Sequence, residues 1–214
     1  MKIIFATGNE NKLREIREIL GDLAEEVVSM KGAGVFVDPD ETGETFEENA
    51  ILKAKACAEA AAASGRFAEG TLVMADDSGL EIDALGGEPG IYSARYLGHD
   101  TSYDEKNRKI LERLKDVPEK ERTARFVCAV AAVILHKPED QVLVTRATME
   151  GQIAYGIAGA NGFGYDPIFY LPEYGKTSAE ISPEEKNAIS HRGKALRAMR
   201  EQLLLIPEAP QQLS

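Results

Sequence analysis

The stretch LVMADDSG, residues 72–79, decides how this chain is read. Leu72, Val73 and Met74 have the composition of a buried strand, and the pattern predicts that this strand ends there. Asp76, Asp77 and Ser78 follow at once, and Gly79 breaks the run. A strand that closes on two carboxylates cannot bury both without a large desolvation cost. Adjacent carboxylates also repel, so one of them usually faces a cation. Open α/β sheets place their ligands at the carboxyl ends of their strands. Two readings stay open here: a solvated Asp-Asp-Ser-Gly turn, or a carboxylate pair that binds metal or does catalysis.

Upstream, Lys2 to Ala6 reads as a short strand, followed by Thr7-Gly8-Asn9-Glu10-Asn11-Lys12 and a helix with apolar residues at Leu13, Ile16, Leu20 and Leu23. Strand, glycine turn and helix N-terminus form a geometry that holds anions through free backbone N–H groups and the helix dipole. Lys12 puts a cation in the first turn, where the dipole disfavours it, and something negative nearby would explain it. The simpler alternative is that Asn9 or Asn11 only caps the helix. Between Glu25 and Val37 the pieces Val27-Val28 and Val35-Phe36-Val37 suggest a strand and a turn. An acidic loop, Asp38 to Glu44, precedes a helix that starts with the capping pattern Thr45/Glu48 and runs to about Ala63. Its buried stripe is Phe46, Ala50, Ala54, Cys57 and Ala61; Lys53 lies on another face, where an ordinary lysine would be solvated.

Downstream, Gly86-Gly87-Glu88-Pro89-Gly90 marks a structured loop, and Ser102/Glu105 starts a helix carrying Ile110, Leu111 and Leu114. Arg122 to His136 is a near-continuous apolar run, a strand buried on both faces. Gln141 to Glu150 is its antiparallel partner through a turn at Lys137-Pro138-Glu139-Asp140. In AGANGFGYDP, residues 158–167, Gly159, Gly162 and Gly164 free the backbone for close approach to a ligand. Phe163 and Tyr165 offer flat faces for a base, and Asp166 offers an acceptor; a plain turn before the strand Ile168-Phe169-Tyr170 is the alternative. Ser182-Pro183-Glu184-Glu185 begins another helix. Ser190 to Lys194 interrupts the pattern, and His191, Arg192 and Lys194 so close together suit an anion or base site. A last helix carries Leu196, Met199 and Leu203, and residues 207–214 read as a frayed tail.

The 214 residues suit one large domain or two tightly joined lobes. No run of about eighteen apolar residues is present, so no membrane span is expected, and the N-terminus turns polar too soon for a signal peptide. Cys57 and Cys128 lie in apolar runs and read as buried thiols of a reducing cytoplasm. The net charge of −11 argues against binding a nucleic-acid polymer. A small polyphosphate remains possible, given a few basic side chains, backbone N–H groups and a divalent cation.

The motifs TGNENK (7–12), ETGETFEENA (41–50), ADDSG (75–79), GGEPGIYSARY (86–96), NGFGYDP (161–167) and EEKNAISHRGKAL (184–196) together resemble the inosine/xanthosine triphosphate pyrophosphatases. The resemblance covers nearly the whole chain in one order, departing only at Asn161, where glycine is usual. It implies an α/β fold with an elongated mixed β-sheet, flanking helices and two lobes around a central active-site cleft, as one domain over residues 1–206. It implies homodimers and Mg²⁺-dependent hydrolysis of deaminated purine nucleoside triphosphates (ITP, dITP, XTP) to the monophosphate and pyrophosphate. By the same resemblance Thr7, Gly8, Asn9, Glu10, Asn11 and Lys12 hold the phosphates, Glu41 and Asp77 hold Mg²⁺, and Asp77 is also the general base. Ser78 touches substrate and Lys53 faces the phosphates. Phe163, Gly164, Tyr165, Asp166, Lys186, His191 and Arg192 recognise the purine. Asp40 and Asp76 are alternative carboxylates, Asp76 as one that fixes its neighbour. Two other readings compete: a module that senses purine triphosphates without cleaving them, and a house-cleaning hydrolase of modified pyrimidine nucleotides. The adjacent acids favour the enzyme, because a pure binder of a triphosphate gains little from extra negative charge.

Overall fold

A computed structural model of the chain describes residues 2–8, 10–135 and 140–206. In chain order the elements are β1 (Lys2–Phe5), α1 (Glu10–Leu20), β2 (Glu26–Ser29), α2 (Met30–Ala33), α3 (Phe46–Ala63), β3 (Leu72–Ile82), α4 (Tyr103–Arg113), β4 (Thr123–Ile134), β5 (Gln141–Ile153), β6 (Phe169–Leu171), β7 (Lys176–Thr177), α5 (Pro183–Ile189) and α6 (His191–Leu204), with short 3₁₀ turns between some of them. The strands form one mixed sheet in the order β2-β1-β3-β4-β5-β6-β7. β1 pairs in parallel with β2 and with β3, Ile4 standing opposite Val28 and Val73. A parallel neighbour requires a crossover, which α1 supplies between β1 and β2. At the other edge β6 is antiparallel to both β5 and β7. Ile153 at the end of β5 donates to the carbonyl of Arg122, just before β4, the contact an antiparallel pair requires. Among the described residues no helix is long and apolar enough to cross a membrane.

The chain divides into two compact units. The first comprises the residues up to Asp77, Ala129–Arg146 and the residues from Gly193 onward. Its core holds Ile3, Ile4 and Phe5 of β1, Leu13, Ile16 and Leu20 of α1, and the α3 stripe Phe46, Ala50, Ala54, Cys57 and Ala61, all buried as the periodicity predicts. The second comprises Ser78–Cys128 and Ala147–Arg192. Its core gathers Leu80, Ile82, Ile110, Leu114, Phe126, Tyr165, Ile168, Phe169 and Ile181.

The structure corrects four local expectations. β3 does not end at Met74; it runs on through Asp76, Asp77, Ser78 and Gly79 to Ile82. The desolvation objection fails because each acid meets its own cation. Val35-Phe36-Val37 is not a strand. Ser29 caps the short helix α2, and Gly34, at φ 65°, ends it in the left-handed conformation. The Thr45/Glu48 pattern forms half a capping box: Glu48 N–H donates to Thr45 Oγ1, while the Glu48 carboxylate accepts from Glu44 N–H. Only Ser190 interrupts the C-terminal helices, in extended conformation, and α6 starts at His191 itself. The Ser182/Glu185 capping box is complete. The expected turn residues Lys137, Pro138 and Glu139 and the tail 207–214 lie outside the described residues.

Candidate active site

In a strand, successive side chains point to opposite faces, so β3 sends Asp76 and Asp77 to different partners. Lys12 Nζ, from the first turns of α1, donates to both Asp76 oxygens at 3.0 Å. Lys53 Nζ, from α3, lies 3.0 Å from Asp77 Oδ1 and 2.7 Å from Glu41 Oε1 in the acidic loop. Both β3 carboxylates are buried, at 3% and 7% exposure. The solvated-turn reading of ADDSG is thereby excluded, and so is a fully solvated Lys53.

Asn49 completes this cluster. It stands one helical turn before Lys53, hence on the same face of α3, and its Nδ2 lies 3.4 Å from Asp77 Oδ2. Its Oδ1 accepts from Gly43 N–H at 2.8 Å, which ties the loop bearing Glu41 to α3. A side chain on Gly43 would meet that oxygen at 2.7 Å, so the loop closes only over glycine. β1 and α1 form as expected on either side of the stretch 6–9, with Thr7 buried and Gly8 exposed. Asn9 lies outside the described residues, and of Glu10 and Asn11 only the helical backbone is described.

Three carboxylates (Glu41, Asp76, Asp77) thus face two ammonium groups (Lys12, Lys53). Burial raises the pKa of Asp77; the Lys53 ammonium opposes that shift, while Glu41 and Asp76 reinforce it. Burial alone would lower the pKa of Lys53, but Asp77, Asp76 and Glu41 outweigh it and keep the group cationic. One cation shared by two carboxylates, with negative charge in excess and only oxygen donors, suits a hard dication. Among the described residues no three His, Cys, Asp or Glu side chains converge into a metal cage. Mg²⁺ does not need one, since it ordinarily takes one or two carboxylates together with substrate oxygens and water. Glu41 and Asp77 fit that pattern.

The second unit carries a different cluster. The Phe163 ring is partly exposed, with Lys186 Nζ 5.2 Å and the Arg192 guanidinium 5.7 Å from its centroid. Arg192 Nη2 lies 3.5 Å from Ser78 Oγ. His191, first residue of α6, stacks on Phe126 at 5.0 Å and 15°. Asp166, 2% exposed, accepts from Phe163 N–H at 2.8 Å, from the Ser178 hydroxyl at 2.7 Å and from Lys186 Nζ at 2.5 Å. Its oxygens therefore serve the loop itself. Gly162, at φ 74°, lets the chain close on that carboxylate, which a Cβ there would meet at 2.2 Å. Tyr165 departs from the expectation of a second flat face: its ring is buried, edge-on to Tyr103 at 5.2 Å, and its hydroxyl donates to Ser93 O at 2.7 Å. Phe163, by contrast, keeps part of its ring exposed beside two cations, where a planar heterocycle could stack.

Asn49, Phe126 and Ser178 escaped the sequence reading. Only the spacing of Asn49 from Lys53 could have signalled one of them.

A model of the Ham1 family matches residues 3–202. The dITP/XTP pyrophosphatase of Exiguobacterium sibiricum is 50% identical over 199 residues, 93% of this chain and 95% of that protein. The dITP/XTP pyrophosphatase of Escherichia coli (strain K12) is 47% identical, covering 94% of this chain and 98% of that one. Among solved structures, a HAM1 protein from Coxiella burnetii aligns with TM-score 0.82 at 40% identity, over 95% of this chain and 98% of that one. The Staphylococcus aureus Ham1 protein aligns at 0.80 and 41%, with the same coverage of each chain.

Proposed function

The chain belongs to the Ham1 family, and from that premise we propose that it hydrolyses deaminated purine nucleoside triphosphates, dITP, XTP and ITP, to the monophosphate and pyrophosphate. The observation that carries the mechanism is the single Lys53 ammonium shared by Glu41 and Asp77. Those two carboxylates would hold Mg²⁺, which supplies charge neutralisation on the departing pyrophosphate. Asp77, its basicity raised by burial, takes a proton from the attacking water. The new bond joins water oxygen to the α-phosphorus, and the bond from that phosphorus to the bridging oxygen breaks. Lys53 and Lys12 counter charge on the phosphates, aided by the N–H groups that open α1. Asp76 holds Lys12 in place.

On the nucleoside side, the base stacks on Phe163. His191, Arg192 and Lys186 offer hydrogen-bond donors to the 6-oxo group of hypoxanthine or xanthine. Adenine presents an amino donor at that position, and a donor facing a donor costs the enzyme a buried hydrogen bond, enough for strong rejection of ATP. Asp166 and Tyr165 act by fixing the loop that carries Phe163. A homodimer and a cytoplasmic setting belong to the same proposal; the buried free thiols Cys57 and Cys128 suit a reducing compartment.

The test is pyrophosphate release from ITP, dITP, XTP, ATP, GTP and dUTP with and without Mg²⁺. Release from the deaminated purines that depends on the metal is the expected result. Binding without release would favour a sensing module, and preference for a modified pyrimidine would favour a pyrimidine hydrolase.

A further inference from the structure

α4 grips the base-recognition loop at two points. The Tyr103 ring lies edge-on to Tyr165 and 3.5 Å from where a Gly164 Cβ would stand. One turn along, Asn107 Nδ2 donates to the Gly164 carbonyl at 3.1 Å. Between them Lys106, itself buried, donates to Ala94 O at 2.6 Å. That residue adjoins Ser93, whose carbonyl accepts from Tyr165.

Asn107 is the unusual member. It is 3% exposed, and its Oδ1 is buried with no hydrogen-bond partner among the described residues. A buried acceptor left unsatisfied destabilises a fold, and an apolar residue of similar shape would avoid that cost only by depriving the Gly164 carbonyl of its donor. What the amide secures in return for that unpaired oxygen is its Nδ2 contact to the Gly164 carbonyl. The peptide joining Gly164 to Tyr165 is trans, so its C=O and N–H point in opposite directions. By fixing the Gly164 carbonyl toward α4, Asn107 aims the Tyr165 N–H away from α4. Among the described residues that N–H makes no hydrogen bond. The same contact sets the backbone immediately after Phe163.

We infer that Asn107 is a positioning residue for base selection: it locks the Gly164–Tyr165 peptide in the orientation that presents Phe163 and a backbone donor to the substrate's base. This rests on the reading of Phe163 as the base platform. Asn107, 3% exposed, acts through Gly164 rather than by meeting substrate.

Asn107→Leu, which keeps the volume and removes the donor, tests it. Wild type and variant are compared on ITP and ATP, with melting temperature as the check on folding. The expected result is a roughly tenfold rise in KM for ITP, kcat changing less than about twofold, and an ITP-over-ATP ratio of kcat/KM narrowed by a similar factor. A merely structural role would lower Tm and depress both substrates alike. An unchanged ratio with wild-type ITP turnover overturns the inference while the proposed function stands. Failure of the wild type to cleave ITP overturns both. Asn107→Ser, too short to reach Gly164, gives the same decision should the leucine variant not fold.

Discussion

Asp76 and Asp77 are consecutive in β3, yet different helices neutralise them: Lys12 of α1 takes the first and Lys53 of α3 the second. Lys53 also serves another carboxylate, Glu41. Their roles should therefore separate under the same mild substitution.

Asp77→Asn removes the proposed proton acceptor and proposed metal ligand while keeping the shape. Turnover of ITP should fall by at least about 10³-fold, within reach of the loss of a general base combined with a ligand. Circular dichroism and Tm should remain near wild type. Substantial remaining turnover would remove Asp77 from the role of base.

Asp76→Asn should show the opposite balance. It leaves the Lys12 ammonium facing a neutral amide in a site where Asp76 is 3% exposed, at a cost of ~2 kcal/mol in urea unfolding. Turnover should drop yet stay measurable. A variant as stable as wild type would contradict the structural role.

Much of this was legible in the chain itself. The α3 stripe, the α1 stripe as far as Leu20 and the Ser182 cap are local patterns, and they formed; Leu23 falls in the turn after α1. The continuation of β3 was not legible, because the cations that permit it stand 64 and 24 residues away. Gly-Phe-Gly-Tyr likewise offers two aromatic faces of equal promise. Burial of Tyr165 is decided by Ser93, 72 residues distant, and by Tyr103. Asn49, Ser178 and Asn107 are single polar residues whose meaning comes wholly from what they meet.

His191→Ala or Arg192→Ala should narrow the ITP-over-ATP ratio of kcat/KM by about tenfold or more, since each removes a donor suited to a 6-oxo acceptor. An unchanged ratio in steady-state kinetics would place selectivity elsewhere.

Arg122 is buried and, among the described residues, forms no ion pair with a carboxylate. Its guanidinium donates to the carbonyls of Leu114 at the end of α4 and of Ile153 and Ala154 at the end of β5. Arg122→Met should cost about 3 kcal/mol in denaturant unfolding by orphaning those acceptors. A loss below about 1 kcal/mol would mean that water replaces the guanidinium readily.

Burial pushes the Cys57 thiol from its usual 9.0 up to about 11. From about pH 9 upward the unfolded chain loses this proton while the folded chain keeps it until about 11. Raising pH through that window therefore favours unfolding. The alkaline decline in stability should be shallower in Cys57→Ala by up to one proton, read from urea midpoints across the window. Equal slopes would show that the thiol ionises alike in both states.

The central claim is that Asp77 directs water onto the innermost phosphorus of the bound nucleotide. Hydrolysis of ITP in heavy-oxygen water, with mass spectrometry of both products, tests it most directly. The account predicts label in the inosine monophosphate and none in the pyrophosphate. Label in the pyrophosphate, or release of single phosphate instead, would contradict it.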